Sequence, residues 1–229
     1  MSGRTELPAV WTAPPAGRVL VFAPHADDDV IGVGGTLALH RGQGDPVRVV
    51  VMTAGTGGDP DRVFGGDLAA IRRREALEGG QVLGVGDYVF WDYPDGFELS
   101  EEDVRRVASR TAEEIRACGP DLVYAPWKRE FHLDHHNAWR VVARAMRESG
   151  FAGRALGYEV WTPCIPEVVV DVTPVWSRKV DALRKHASQL RYTDHVGKTL
   201  GMNAHRSLYL PSTSRYGEAL VRLLPERKA

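Results

Sequence analysis

The chain has little cysteine: Cys118 and Cys164 are the only two among 229 residues. They show no CxxC spacing and are too few to staple a chain of this size, so both are expected to be small buried residues in a reducing cytoplasm. Neither sign of charge is in excess, with 29 basic and 30 acidic side chains and a formal net charge of −1. No electrostatic pull toward nucleic acid or an anionic membrane follows, and neither is expected as a partner. Long apolar runs are missing as well, and all fall far short of a membrane span. The first eighteen residues hold Pro8, Pro14 and Pro15 but no apolar signal core. Internal repeats and low-complexity tracts are absent.

What is present is an alternation of apolar, β-rich runs with amphipathic helical stretches, enough for a single domain over residues 1–229. Strands are expected at Arg18 to Ala23, Val47 to Thr53, Tyr88 to Asp92 and Leu122 to Ala125. Helices are expected from Gly35 to Arg41, from Leu68 to Leu83, from Ser100 to Cys118 with Ser100 as cap, and from Asp134 to Ser149. Residues 1–17 read as an irregular arm. Residues 150–229 read as an extension that shapes the pocket, with strands at Ala155 to Trp161 and Glu167 to Val172, a helix from Pro174 to about Leu190, and weak periodicity from Tyr192 to Arg215. The fold class is α/β, Rossmann-like, a mostly parallel sheet with helices on both faces and a C-terminal strand and helix extension. Loops after the strands should hold the site.

The most informative stretch is Pro24-His25-Ala26-Asp27-Asp28-Asp29, where a buried strand delivers an imidazole and three carboxylates into a glycine-rich turn. Imidazole and carboxylate together suit a divalent cation of the zinc type, which needs about three protein ligands and an open position for water. His25 and Asp28, three apart, can point at one spot. The distant His132-Leu133-Asp134-His135-His136 supplies the third ligand, His135, with His136 a neighbouring competitor that helix phase should decide. Asp27, adjacent to Asp28, is better placed to take the proton of an attacking water, and His132 could donate to the oxyanion formed when water adds to a carbonyl, or protonate the departing amine.

PHADDDVIGVGG and HLDH resemble the two signature blocks of the LmbE-like, or PIG-L, zinc deacetylases, usually AHPDDE followed by GG, and HPDH. Ile71 to Val85 resembles the family's RxxE helix, Tyr93-Pro94-Asp95-Gly96 its third βα loop, and His186-Ala187-Ser188-Gln189 its late H-x-S-Q stretch. The resemblance implies a hydrolase that removes acetyl from N-acetylglucosaminyl (GlcNAc) compounds. It implies Zn2+, or another divalent transition metal, on His25, Asp28 and His135, with Asp27 as base and His132 as oxyanion partner. Arg72 and Asp95 match substrate-binding positions. Departures are Ala26 and Leu133 for prolines, Asp29 for glutamate, Glu130 where some members have tyrosine, and a second loop, Thr53 to Gly58, without the acid many carry.

The expected partner is a small GlcNAc-type glycoside; its aglycone and any homo-oligomeric assembly stay open. The competing reading is a non-hydrolytic nucleotide- or sugar-binding Rossmann-like module, because Gly32-Val33-Gly34-Gly35 follows a strand and starts a helix. That spacing is not GxGxxG, and the second strand ends without an acid for a ribose. His40, His195 and His205 carry no signal. Trp127, Trp139 and Trp161 could stack on a sugar ring, but large aromatics are more often core or rim packing, and His186, with Gln189 one turn later, reads as structural or as orienting a loop.

Overall fold

The computed structural model of the protein describes residues 6–96 and 98–223. Within them, strands β1 (Ala9–Trp11), β2 (Val19–Ala23), β3 (Val47–Thr53), β4 (Asp87–Tyr93), β5 (Leu122–Pro126), β6 (Arg154–Tyr158), β7 (Val168–Asp171) and β8 (Gly217–Arg222) form one sheet in the order β1-β7-β8-β6-β5-β2-β3-β4. All neighbours are parallel except β8, which runs antiparallel to β6 and β7.

The helices are α1 (Asp28–Gly42), α2 (Leu68–Leu83), α3 (Glu101–Cys118), α4 (Leu133–Ser149), α5 (Trp176–Leu183), α6 (Ala187–Leu190) and α7 (His195–Arg206). Along β2 the side chains alternate between two cores. Val19, Val21 and Ala23 pack with Val30, Leu37, Leu83 and Leu183 from α1, α2 and α5. Leu20 and Phe22 face Val107, Ile115, Val142 and Met146 from α3 and α4 on the other side. Burial on both faces explains why this strand reads as an unbroken apolar run. Ser100 caps α3 as expected, its side chain accepting from Asp103 N at 3.1 Å.

Helix α1 begins seven residues before the expected start. Its glycines concealed it, because glycine is a poor helix former and their service here is close packing. A Cβ on Gly32 would stand 2.2 Å from the Tyr158 ring, and one on Gly35 2.6 Å from Val172. The Gly32 to Gly35 stretch is therefore buried inside a helix against β6 and the end of β7, where it cradles no phosphate.

At Val33 the helix kinks (φ −135°, ψ 15°), and the backbone groups released there find a buried ion pair. Glu218 of β8 accepts from the N–H groups of Gly35 and Thr36, each at 2.7 Å, while Lys179 of α5 donates to Ile31 O at 2.8 Å and to Glu218 at 2.6 Å. Both charged side chains are fully buried.

The region beyond residue 150 contributes three strands to the same sheet. The irregular arm is corrected in part: residues 9–11 form β1 beside β7, and residues 1–5 lie outside the described residues. The helix expected from Pro174 to Leu190 is broken at residues 184–186, because Glu75 of α2 takes Ser188 N at 2.8 Å and Ser188 Oγ at 2.6 Å and starts α6 afresh. The weakly periodic tail contains α7. Its buried face is His195, Thr199, Asn203 and Arg206, a polar stripe at helical spacing that a hydrophobic period does not detect. The extension expected over residues 150–229 also includes residues 224–229, which lie outside the described residues.

Replacing Glu218 with alanine strands the Lys179 ammonium, and loss of one partner of a buried pair costs roughly 3–5 kcal/mol. Urea unfolding of Glu218→Ala is expected to show a loss of that size, against about 1 kcal/mol or less for Arg106→Ala in the exposed pair with Asp103. Similar midpoints for the two variants would refute the stapling role of Glu218.

Candidate active site

Strand β2 lies between β3 and β5, so the chain leaving β2 turns to one side of the sheet while the chain leaving β5 turns to the other. A crevice opens at such a switch point, outside the carboxyl ends of the strands. Into it the β2 turn carries His25, Asp27 and Asp28, and the β5 loop carries Glu130, His132 and His135. The turn is held by Thr53, at the end of β3, which donates to Pro24 O from its N at 3.0 Å and its Oγ1 at 2.9 Å. His132 is the N-cap of α4, its Nδ1 accepting from Asp134 N at 3.2 Å. Helix phase separates the two following histidines: His135 is fully buried in the crevice, whereas His136 lies against Trp139 with ring centroids 5.6 Å apart.

Three atoms converge. His25 Nδ1 is 3.0 Å from Asp28 Oδ2, His135 Nε2 is 3.1 Å from the same oxygen, and the two nitrogens are 3.3 Å apart. Donors bound at about 2.0 Å to one tetrahedral ion would stand about 3.3 Å from each other, so this triangle fits a cation of zinc size. His25, His132 and His135 also form a looser group, with one nitrogen from each lying within 4.8 Å of the others.

The outer nitrogens of the two converging imidazoles each face a carboxylate. His25 Nε2 is 3.1 Å from Asp134 Oδ2, and His135 Nδ1 is 3.4 Å from Glu130 Oε2, the arrangement that orients metal-binding histidines. Asp134 is itself held by Gly96 N at 3.0 Å, and Glu130 by the N–H groups of Val160 at 2.6 Å and of Trp161 and Thr162 at 3.2 Å.

The electrostatics favour a cation. Burial lowers the affinity of His135 for a proton, but the Asp28 and Glu130 carboxylates outweigh it and push its pKa up to about 10. His25 is raised likewise, Asp28 and Asp134 overcoming burial. Burial alone would raise Asp28, yet His135 and His25 hold it well below the usual carboxylate range. His132 moves the other way, lowered by burial and then by the charges on His25 and His135. Asp29, buried and hydrogen-bonded by Tyr88 OH at 2.7 Å, is pushed up to about 7, burial being the main cause.

Around this group lies a cavity of about 330 Å³ lined by His25, Asp27, Asp28, Arg72, Asp95 and His132, with Trp161, Gln189 and His195 closing one side. Arg72 donates from Nη2 to Asp27 Oδ1 at 3.0 Å and from Nη1 to Gly55 O at 3.0 Å. Despite burial, Arg72 keeps the Asp27 pKa below its ordinary value, so that carboxylate is ionised and, held by the guanidinium, borders the same cavity as His25 and Asp28. Asp95 accepts from Thr56 N at 3.0 Å and Gly57 N at 2.7 Å, clasping the loop after β3 to the loop after β4. Of the residues singled out in the sequence, His25, Asp27, Asp28, Arg72, Asp95 and His132 border one cavity, and His135, fully buried, joins them through its contacts with Asp28 and His25, although Arg72 and Asp95 spend their polar atoms on the protein. Read from sequence, Asp134 and His195 have no site role, Trp161 is packing and Gln189 is part of a structural stretch, yet all four line the cavity. Asp134 sits inside the HLDH block, but its partner His25 is 109 residues away.

A family model described as GlcNAc-PI de-N-acetylase (PIG-L) matches residues 20–146, which include both blocks. A probable N-acetyl-alpha-D-glucosaminyl L-malate deacetylase 2 of Bacillus cereus is 29% identical over 187 residues, covering 75% of this chain and 83% of that protein. The 4-oxalmesaconate hydratase of Pseudomonas putida is 26% identical over 242 residues, covering 92% of this chain and 91% of its own. The solved structure of N,N'-diacetylchitobiose deacetylase from Pyrococcus horikoshii superimposes with a TM-score of 0.76 at 28% identity, covering 89% of this chain and 82% of that one.

In chelator-treated protein the raised pKa of His135 makes stability depend on pH. A histidine at about 10 in the fold, against 6.5 when unperturbed, stabilises fully below pH 6.5, and that contribution is lost as pH rises through 10. Denaturant midpoints of the chelated protein are expected to fall across this window, and His135→Ala should flatten the fall. A level curve for the chelated wild type would contradict the assignment.

Proposed function

The chain belongs to the PIG-L family of GlcNAc-PI de-N-acetylases, and on that premise we propose that it is a zinc-dependent hydrolase removing the N-acetyl group from a GlcNAc-containing small molecule. The observation that carries this reading is the triangle of His25 Nδ1, Asp28 Oδ2 and His135 Nε2, 3.0 to 3.3 Å on each edge, with the ionised Asp27 beside it. We assign the metal to these three in preference to His132. The Nδ1 of His132 accepts from Asp134 N, so its proton sits on Nε2, and a protonated nitrogen donates hydrogen bonds where a ligand must offer a lone pair.

A zinc ion held there supplies Lewis acidity, lowering the pKa of water and polarising the acetamide carbonyl. Asp27, kept ionised and aimed by Arg72, takes the proton of the attacking water. His132 Nε2–H donates to the carbonyl oxygen as negative charge builds on it. Asp27 then returns its proton to the departing nitrogen, and acetate and the free amine leave. Asp95 and Arg72 serve the substrate by holding the loop from Gly55 to Gly57 at the cavity edge. The acetamido sugar is the substrate class named by the Bacillus and Pyrococcus relatives, whose aglycones differ. We place the protein in the cytoplasm because both cysteines are free, and no helix among the described residues is long and apolar enough to cross a membrane.

The Pseudomonas relative raises metal-assisted hydration as a second reading, favoured by its coverage of nearly the whole chain. An anionic substrate would call for a cation in the cavity wall. Among the described residues lining it, the one Lys or Arg is Arg72, already committed to Asp27 and Gly55.

An amine-release screen over N-acetylated glucosaminides, with 4-oxalmesaconate as comparator, tests the reading. Asp27→Asn is expected to retain the metal but lose about 10²–10⁴-fold in kcat, the usual worth of a general base, whereas His135→Ala should lose the metal itself. Unchanged turnover and unchanged metal content in both would overturn it. Arg72→Met should move the acidic limb of the kcat/KM profile to higher pH, since removing the guanidinium raises the Asp27 pKa; an unmoved limb would remove Arg72 from this role.

A further inference from the structure

One wall of the cavity takes no part in the chemistry above. Trp161, in the turn after β6, lines it with 38% of its surface open. Its indole packs on the imidazole of His195, the first residue of α7, with ring centroids 5.4 Å apart and planes inclined at 48°. Lys198, one turn along α7, brings its ammonium 5.8 Å from the Trp161 centroid. The open part of the indole borders a cavity whose other lining side chains are mostly polar, so it offers that cavity one flat apolar face.

Both members of the pair are fixed from behind. Trp161 N donates to Glu130, 3.2 Å from each carboxylate oxygen, and that carboxylate also faces His135 Nδ1. The backbone of His195 donates to Thr193 O at 2.8 Å, and Asp194 caps the helix by accepting from Gly197 N at 2.8 Å. The ring nitrogens of His195 have no hydrogen-bond partner among the described residues, although the side chain is nearly buried and lines the cavity. The fields of Asp27 and Asp28 reach this imidazole, but burial outweighs them and keeps it neutral, able both to donate and to accept.

We propose that Trp161 and His195 form the platform that seats the pyranose ring of the substrate, the indole covering its C–H face and a ring nitrogen of His195 hydrogen-bonding one of its hydroxyls. The proposal rests on the acetamido-sugar reading and adds the residues that recognise the sugar. Trp161 and His195 line the same cavity as Asp27, which returns its proton to the nitrogen that carries the sugar. His132 serves the carbonyl side. Glu130 is a positioning residue that links the platform to His135.

Two measurements test it. In turnover of N-acetylglucosaminides, Trp161→Ala, His195→Ala and His195→Asn are each expected to raise KM about tenfold with kcat and bound metal little changed, the signature of lost ground-state binding. In chelated, non-turning protein, glucosamine is expected to quench tryptophan fluorescence, and Trp161→Phe should abolish the quench while calorimetry still detects binding. Turnover with KM unaltered in Trp161→Ala and His195→Asn, or a quench that survives in Trp161→Phe, would overturn the platform. If no N-acetylated sugar is turned over yet the glucosamine quench is present and vanishes in Trp161→Phe, the hydrolase reading falls and the platform stands.

Discussion

The carboxylate of Asp28 is the constraint on which the rest of the site depends. It is almost wholly buried in the first turn of α1, where it accepts from His25 N at 2.9 Å and meets His25 Nδ1 and His135 Nε2 through the same oxygen. A charge removed from water costs several kcal/mol unless opposite charge and hydrogen bonds replace its solvation. Two imidazoles do so here, and they can reach it because β2 and β5 are neighbours whose exits diverge. The topology that opens the crevice and the electrostatics that favour positive charge in it are therefore linked at one atom.

Order spreads outward from that atom by carboxylates that are themselves anchored. Asp134 and Glu130 orient the two imidazoles and are held by backbone N–H groups of the loops after β4 and β6. Arg72 orients Asp27 from α2, and Glu75, one turn further along that helix, holds Ser188 and so sets the start of α6, which brings Gln189 to the cavity. The region beyond residue 150 thus helps to define the site. Behind α1, Lys179 and Glu218 satisfy the backbone released by the kink at Val33, so the helix that presents Asp28 is fixed at its weakest point.

The legible part of the molecule was the part whose signal is local or carried by hydrophobic period. Strands β2 to β5 announced themselves as apolar runs ending in polar turns, and His25, Asp28 and His135 could be paired from ligand chemistry because each block carries several donors at close spacing. Helix α7 stayed hidden because its buried stripe is His195, Thr199, Asn203 and Arg206, whose burial rests on specific partners: Arg206 on Glu159, Asn203 on Lys179. The early start of α1 was masked by glycines whose purpose is visible only once Tyr158 and Val172 stand against them. Strand β1, three residues long, has its partner at residues 168–170 and no pattern of its own. His195 carries no signal and Trp161 reads as packing for a related reason: each is ordinary until the two rings and the cavity are seen together.

Glu130 ties the histidine side of the site to the turn after β6. One of its oxygens sits 2.6 Å from Val160 N while the carboxylate also reaches Trp161 N, Thr162 N and His135 Nδ1. A tyrosine there, as in some members of the family, would offer a single phenolic oxygen that could not accept from three successive N–H groups and an imidazole at once. The turn at residues 160–162 would then need another support, and the indole it carries would stand elsewhere. Because one carboxylate fixes both the outer nitrogen of His135 and the backbone of Trp161, the geometry of the catalytic centre and the shape of the pocket wall cannot vary independently in this chain.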